Sequence, residues 1–193
     1  MQEQPKPARG ILHPAAFAGQ TLHRRYLPCA SLAEWIEHYW IVEWNFGDAV
    51  HKVATLPHPS IHITFDNAEA TVGGIRTGRF TRQLTGRGRV FGVKFLPGAF
   101  YPWLGRPVSS IANKLLPLHT FFENADALHT QMRTLQTHET LVDCAQAALL
   151  ARKPAHDPRL TRVRRICEHI CNDRNVLRVE QVCESEQLRM RQL

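Results

Sequence analysis

Residues 78–107 read GRFTRQLTGRGRVFGVKFLPGAFYPWLGRP, and their centre decides the fold. Within 89–96 the apolar Phe91, Val93 and Phe95 alternate with Gly92 and Lys94, which is the period of a half-buried strand. Gly86 and Gly88 before it, and Pro97 and Gly98 after it, are turn residues, so the strand must enter and leave sharply. The aromatic stretch 99–104 suits a short helix that Gly105 and Pro107 stop.

Working outward, further strands are expected at about 40–46, 50–56, 60–65, 69–73 and 77–84. Turn signals at Pro57, Pro59, Asp66, Asn67, Gly73 and Gly74 separate most of them. A spacing of roughly ten residues per strand with no intervening helix points to an antiparallel sheet, closed into a barrel or a sandwich. Before the first of these, Ser31 and Glu34 form a capping-box pattern, and Leu32, Trp35, Ile36 and Tyr39 fall on one helix face. A helix is therefore expected there, with the period switching to that of a strand at about His38. Residues 1–9 are polar and proline-bearing and are expected to be disordered.

Downstream of Val108 the pattern becomes helical, at about 108–114, 125–136 and 139–152. Residues 153–158 read as a linker in which Asp157 caps the next helix and Pro158 takes its first position. Leu160, Val163, Ile166, Cys167, Ile170 and Cys171 line one face of that helix, and Arg159, Arg162, Arg164 and Arg165 lie largely off it. A second short helix over 176–183 is expected to turn Val179, Val182 and Cys183 inward.

The chain has 193 residues, of which 44% are hydrophobic, enough for one main domain with an appendage. It contains no apolar run of membrane-spanning length and its N-terminus is polar, so neither a secretory signal nor a membrane association is expected. Five scattered cysteines suit reduced thiols in the cytoplasm better than a disulfide framework. The net charge of +7 is concentrated: between Ala70 and Phe122 there is no Asp or Glu, while eight Lys and Arg residues fall there. The rest of the chain therefore sums to 7 − 8 = −1. Arg79, Arg87 and Arg89 in this block, and Arg162 and Arg165 in the tail, are the candidates for facing an anion or DNA.

Several stretches resemble a known family. The tail, with Asp157 and Pro158 opening a helix, then 179–183 (VEQVC) and 188–193 (LRMRQL), resembles the start of the helix-turn-helix domain of AraC/XylS-type transcriptional regulators. The blocks 39–42 (YWIV), 56–59 (LPHP), 77–80 (TGRF) and 90–95 (VFGVKF) resemble the N-terminal sensor region of one branch of that family. The resemblance implies an α+β chain: a cupin-like antiparallel β-barrel sensor over 10–122, a helical connector over 123–153, and an incomplete helix-turn-helix over 157–193. It implies DNA and an unidentified small-molecule effector as partners, a homodimer, and no cofactor. Gln187 stands where the family carries a turn glycine, and Arg189 where it carries a Ser or Thr cap, each costing on the order of 1 kcal/mol. Such regulators continue through a second helix-turn-helix, whereas this sequence stops at Leu193. By itself it is therefore not expected to read an operator.

Barrel interiors commonly hold one small ligand, which makes Trp40, Trp44, His62, Phe65, Phe91, Lys94 and Phe95 the candidate effector-binding residues. Within this set His62 and Lys94 are the polar groups suited to orient a ligand. His51, His58 and His62 lack a His-x-His pair and a following Glu, so no metal site is expected. No nucleophile constellation or phosphate-cradling glycine loop is present, so the chain is not expected to be an enzyme. The alternative to a regulator is a free-standing small-molecule-binding or protein-interaction module of the same fold with no DNA role.

Overall fold

The computed structural model describes residues 1–3, 12 and 19–190. Among these, the strands are β1 (Thr21–Tyr26), β2 (Ile36–Asn45), β3 (His51–Thr55), β4 (His62–Phe65), β5 (Ala70–Gly73), β6 (Phe80–Leu84), β7 (Arg87–Phe95) and β8 (Leu115–Pro117). The helices are α1 (Tyr101–Leu104), α2 (Ala125–Thr134), α3 (His138–Leu150), α4 (Pro158–Asn172) and α5 (Val179–Ser185). The chain is α+β and divides into two units, 1–154 and 155–193. The sensor and connector expected separately thus fall within one unit. The stretch expected to be disordered, 1–9, lies mostly outside the described residues.

In the first unit β7 is central. The larger sheet has the order β1-β2-β7-β4-β5-β8 and every pairing in it is antiparallel. Because side chains alternate along a strand, register assigns each residue to a face. One face carries the rows Ile41, Phe91, Phe65 and Tyr39, Val93, Ile63, Val72, all buried. Phe91 packs between Tyr39, at 6.0 Å between ring centroids, and Phe65, at 6.1 Å. The helices supply the other side of this core: Ile63, Phe65 and Val93 line an apolar crevice together with Leu118, Phe122 and Leu128, and with Ala145 and Leu149 of α3. Leu128, Met132, Leu141, Val142, Ala145 and Leu149 are buried, as the helical period requires. Thr137 caps α3 by accepting from the Thr140 amide. Gly105, at φ 66°, ends α1, whose Trp103 meets Phe95 edge-on at 5.4 Å.

Two expectations are corrected here. The stretch expected as a helix over 31–39 forms a short 3-10 turn at Ala30–Leu32, and β2 then begins at Ile36. Pairing with β1 and β7 wins because Tyr39 and Ile41 bury fully in the sheet core, which a lone amphipathic turn could not offer them. β1 and β8, at the two edges of the sheet, were not anticipated. Finally, the expected closed barrel is not found among the described residues. β1 pairs along its length only with β2, and β8 only with β5, while β3 and β6 form a separate two-stranded sheet. In β6 only Leu84 is buried, so closing the sheets through it would gain little apolar burial.

In the second unit, Asp157 caps α4 by accepting from the Arg159 amide, with Pro158 in the first turn. Leu160 is buried and Val163, Ile166 and Cys167 are half-buried, but Ile170 and Cys171 are exposed. In α5, Val182 and Cys183 are buried, whereas Val179, expected inward, is exposed. Gln181 Oε1 accepts from the amides of Leu177 and Arg178, both at 2.9 Å, and so supports the start of α5. The Leu188 amide donates to the Cys183 carbonyl at 2.8 Å and the Gln187 amide to that of Glu184 at 3.3 Å, closing α5 in a Schellman turn. Gln187 occupies its left-handed position at φ 53°. The segment expected to start a further helix at Arg189 passes out of the described residues after Met190.

Candidate functional site

The second face of the large sheet is built differently. Its rows are His38, Lys94, His62 and Trp40, Gly92, Thr64, with Arg25 paired to Trp40 and His23 to Val42 on the edge strand. Glu37 sits in the register shift between Ile36 and His38. These side chains are half-buried, except His38, which is buried.

The polar groups form two hydrogen-bonded clusters, Glu37–Lys94–His58–Ser60 and Trp40–His62. Lys94 Nζ meets Glu37 Oε2 at 3.0 Å and Oε1 at 3.1 Å. It also reaches His58 Nε2 at 3.3 Å, and His58 Nδ1 lies 3.0 Å from Ser60 Oγ. With the ammonium donating to Nε2, the proton of neutral His58 belongs on Nδ1, donating to Ser60. Trp40 Nε1–H donates to His62 Nδ1 at 3.2 Å, which places the His62 proton on Nε2. His38 Nδ1 is 3.4 Å from Glu37 Oε1, within ion-pair reach but without hydrogen-bond geometry.

The electrostatics follow from this arrangement. Burial, then the charge of Lys94, pushes His62 down to about 3, and the same two causes lower His58. On the edge strand, burial and then Arg25 hold His23 at about 4. Burial opposes ionisation of Glu37, but the His38 ring and the Lys94 ammonium overcome it and hold the carboxyl at about 2. At neutral pH the face therefore carries neutral His23, His58 and His62, anionic Glu37, and cationic Lys94 and Arg25.

Two glycines shape the floor. A Cβ on Gly92 would lie 2.0 Å from the Trp40 ring, and one on Gly88 would lie 2.2 Å from the Trp44 ring. Both indoles thus lie down across the backbone of β7, and only glycine admits them. Trp44 Nε1–H donates to the Thr85 carbonyl at 3.1 Å.

Of the candidates drawn from sequence, Trp40, Trp44, His62 and Lys94 share this polar face. Phe65, Phe91 and Phe95 are on the opposite face, buried in the core against aromatic and helical neighbours, and do not line a polar site. Period two separates them: odd and even positions of one strand cannot face the same way. Arg25, Glu37, His38 and His58 were missed. Glu37 and His38 were hidden by the helical reading of 31–39, Arg25 by an edge strand that was not anticipated, and His58 by a loop whose path only the tertiary fold sets.

The basic block also divides. Arg89 donates to the Leu135 carbonyl at 2.7 Å, holding the end of α2, and so is a structural residue. Arg82 pairs with Asp66 at 2.6 Å, and Arg76 lies over the Phe80 ring at 4.4 Å. Arg79 and Arg87 are exposed, with no partner among the described residues. In the second unit Arg162 is exposed, while Arg165 pairs with Glu186 and ties α4 to the end of α5. Among the described residues no three His, Cys, Asp or Glu side chains are placed to hold a metal, and no helix is long and apolar enough to cross a membrane.

Comparison with known proteins adds one match. Residues 24–117 match the family described as a domain of unknown function, DUF6597. That stretch runs from β1 to the end of β8 and contains every residue of both polar clusters. No curated protein and no solved structure matches the chain.

Proposed function

We propose that this chain is the effector-sensing and dimerising part of a DNA-binding transcriptional regulator of the AraC/XylS kind, with its small-molecule site on the polar face of the large sheet. One observation carries it: Trp40, His62 and Lys94 gather with Arg25, Glu37 and His58 on a face that the hydrophobic core does not use. Half-burying such groups costs free energy that an apolar face would not, which is the expected signature of a site kept for binding. The six-stranded and two-stranded antiparallel sheets suit an open, cupin-like sensor, and α2 with α3 suits a connector used for dimer contact. In the second unit, Gln187 adopts the left-handed conformation at the position where the family carries glycine, which supports a helix-turn-helix origin for α4 and α5. Ligand on the polar face would then shift an equilibrium between arrangements of the DNA-binding parts of a homodimer.

Chromatin immunoprecipitation of the protein in its own cells, with transcript measurement in Trp40→Ala and Lys94→Met strains, tests this. Discrete promoters should be enriched, and transcripts beside them should change in the variants at unchanged protein level. Absence of any promoter enrichment would leave the alternative, a cytoplasmic binding module with no DNA role.

A further inference from the structure

On the polar face, donors outnumber acceptors. Lys94 is engaged by Glu37 and His58. With Nδ1 accepting from Trp40, the His62 proton is on Nε2, where it has no partner among the described residues. Arg25, paired across the strands with Trp40, is half-buried and its side chain makes no hydrogen bond or ion pair among the described residues. It is close enough to Glu37 to feel that charge. Its guanidinium offers several N–H groups in a planar fork suited to a carboxylate. Both Glu37 oxygens are engaged by Lys94, so the Arg25 guanidinium is left without a matched negative charge in a half-buried setting, where a lone charge is costly. Beside these donors lies an indole laid flat on Gly92 and, further along β2, a second laid flat on Gly88. Charge, donor count and floor describe the missing partner: one negative charge, acceptor oxygens and a flat body.

We infer that this face binds a small planar monocarboxylate, its carboxylate taken by Arg25 and its body resting on Trp40. Glu37 serves as the built-in counterion of Lys94 and keeps the free site from carrying two uncompensated cations. This rests on the sensing face proposed above, and supplies the ligand class that face would take.

Titration calorimetry of the full chain with nicotinate and with nicotinamide tests it, since the two share a ring and differ in charge. The acid should bind about tenfold or more tightly than the amide, because charge-assisted hydrogen bonds are about twice as strong as neutral ones. Arg25→Gln should erase that preference with an unchanged melting temperature, and Arg25→Lys should keep part of it. Glu37→Gln should tighten nicotinate binding, because it removes the only negative charge of the two clusters. Equal affinity for acid and amide, no binding of nicotinate, or a preference that survives Arg25→Gln would each overturn the inference. Weaker nicotinate binding in Glu37→Gln would overturn the counterion role. Lost promoter occupancy with an intact acid preference removes only the regulator, and occupied promoters without that preference remove only the carboxylate.

Discussion

The two faces of β7 are made from neighbouring residues and do opposite things. Phe91, Val93 and Phe95 point into a core closed by aromatic rings and helices, and nothing polar stands among them on that strand. Gly92 and Lys94, one residue away in each case, belong to a face with a paired ammonium, several imidazoles and two indoles. The first face accounts for why the chain folds, since burial of aromatic and branched side chains is the main favourable contribution. The second contributes little of that and spends half-buried charge instead. A sheet used in this way separates stability from binding by side-chain parity alone, so substitutions at adjacent positions should have unlike consequences.

The sharpest break of that comparison comes from truncating one side chain on each face. Phe91→Ala should destabilise the fold by about 3–5 kcal/mol, and Trp40→Ala, half-exposed, by less than about half of that. Denaturant unfolding of both variants measures this, and equal losses would mean that the polar face is core as well. Next in size is Gly92→Ala. Its new methyl would meet the Trp40 ring, so it should cost about 1–3 kcal/mol and shift tryptophan fluorescence as the indole is lifted. An unchanged emission spectrum would show that Trp40 does not rest there.

A smaller contrast tests the basic residues at the far end of the apolar face. Arg89→Ala, which frees the Leu135 carbonyl, should cost about 1–3 kcal/mol, against less than about 0.5 kcal/mol for exposed Arg87→Ala. Equal effects, read by thermal melting, would return Arg89 to the solvated set.

The smallest effect at neutral pH, and visible only on acidification, is the proton linkage of the polar face. The folded chain holds His62 at about 3, below its ordinary 6.5, so between these values the unfolded chain binds more protons. Stability should therefore fall as pH drops through that window. Glu37, held at about 2 against its ordinary 4.5, adds a further loss as pH falls from 4.5 towards 2. His62→Gln should flatten the upper part of the stability curve and Glu37→Gln the lower, as followed by unfolding over a pH series. Curves that stay parallel to the wild type would remove both groups from that linkage.

Much of this was legible in the residues themselves. The alternation around Phe91, the turn residues at Gly86 and Pro97, the helical period of 125–152 and the cap formed by Asp157 and Pro158 are local patterns. Local sterics and solvent preference are enough to read them. The same alternation already separates Lys94 from Phe95. It does not say which side of the sheet the helices will cover. That choice, and with it the assignment of Phe65 and Phe91 to the core and of Trp40 and His62 to the site, depends on where α2 and α3 dock. Ile36 and Tyr39 fitted a helix face as well as a strand, and only pairing with β1 and β7 resolved them, which is a long-range contact no window contains. The meeting of Lys94 with Glu37 and His58 is of the same kind. Those residues are 57 and 36 positions away along the chain, and only the folded sheet brings their charges within hydrogen-bonding reach.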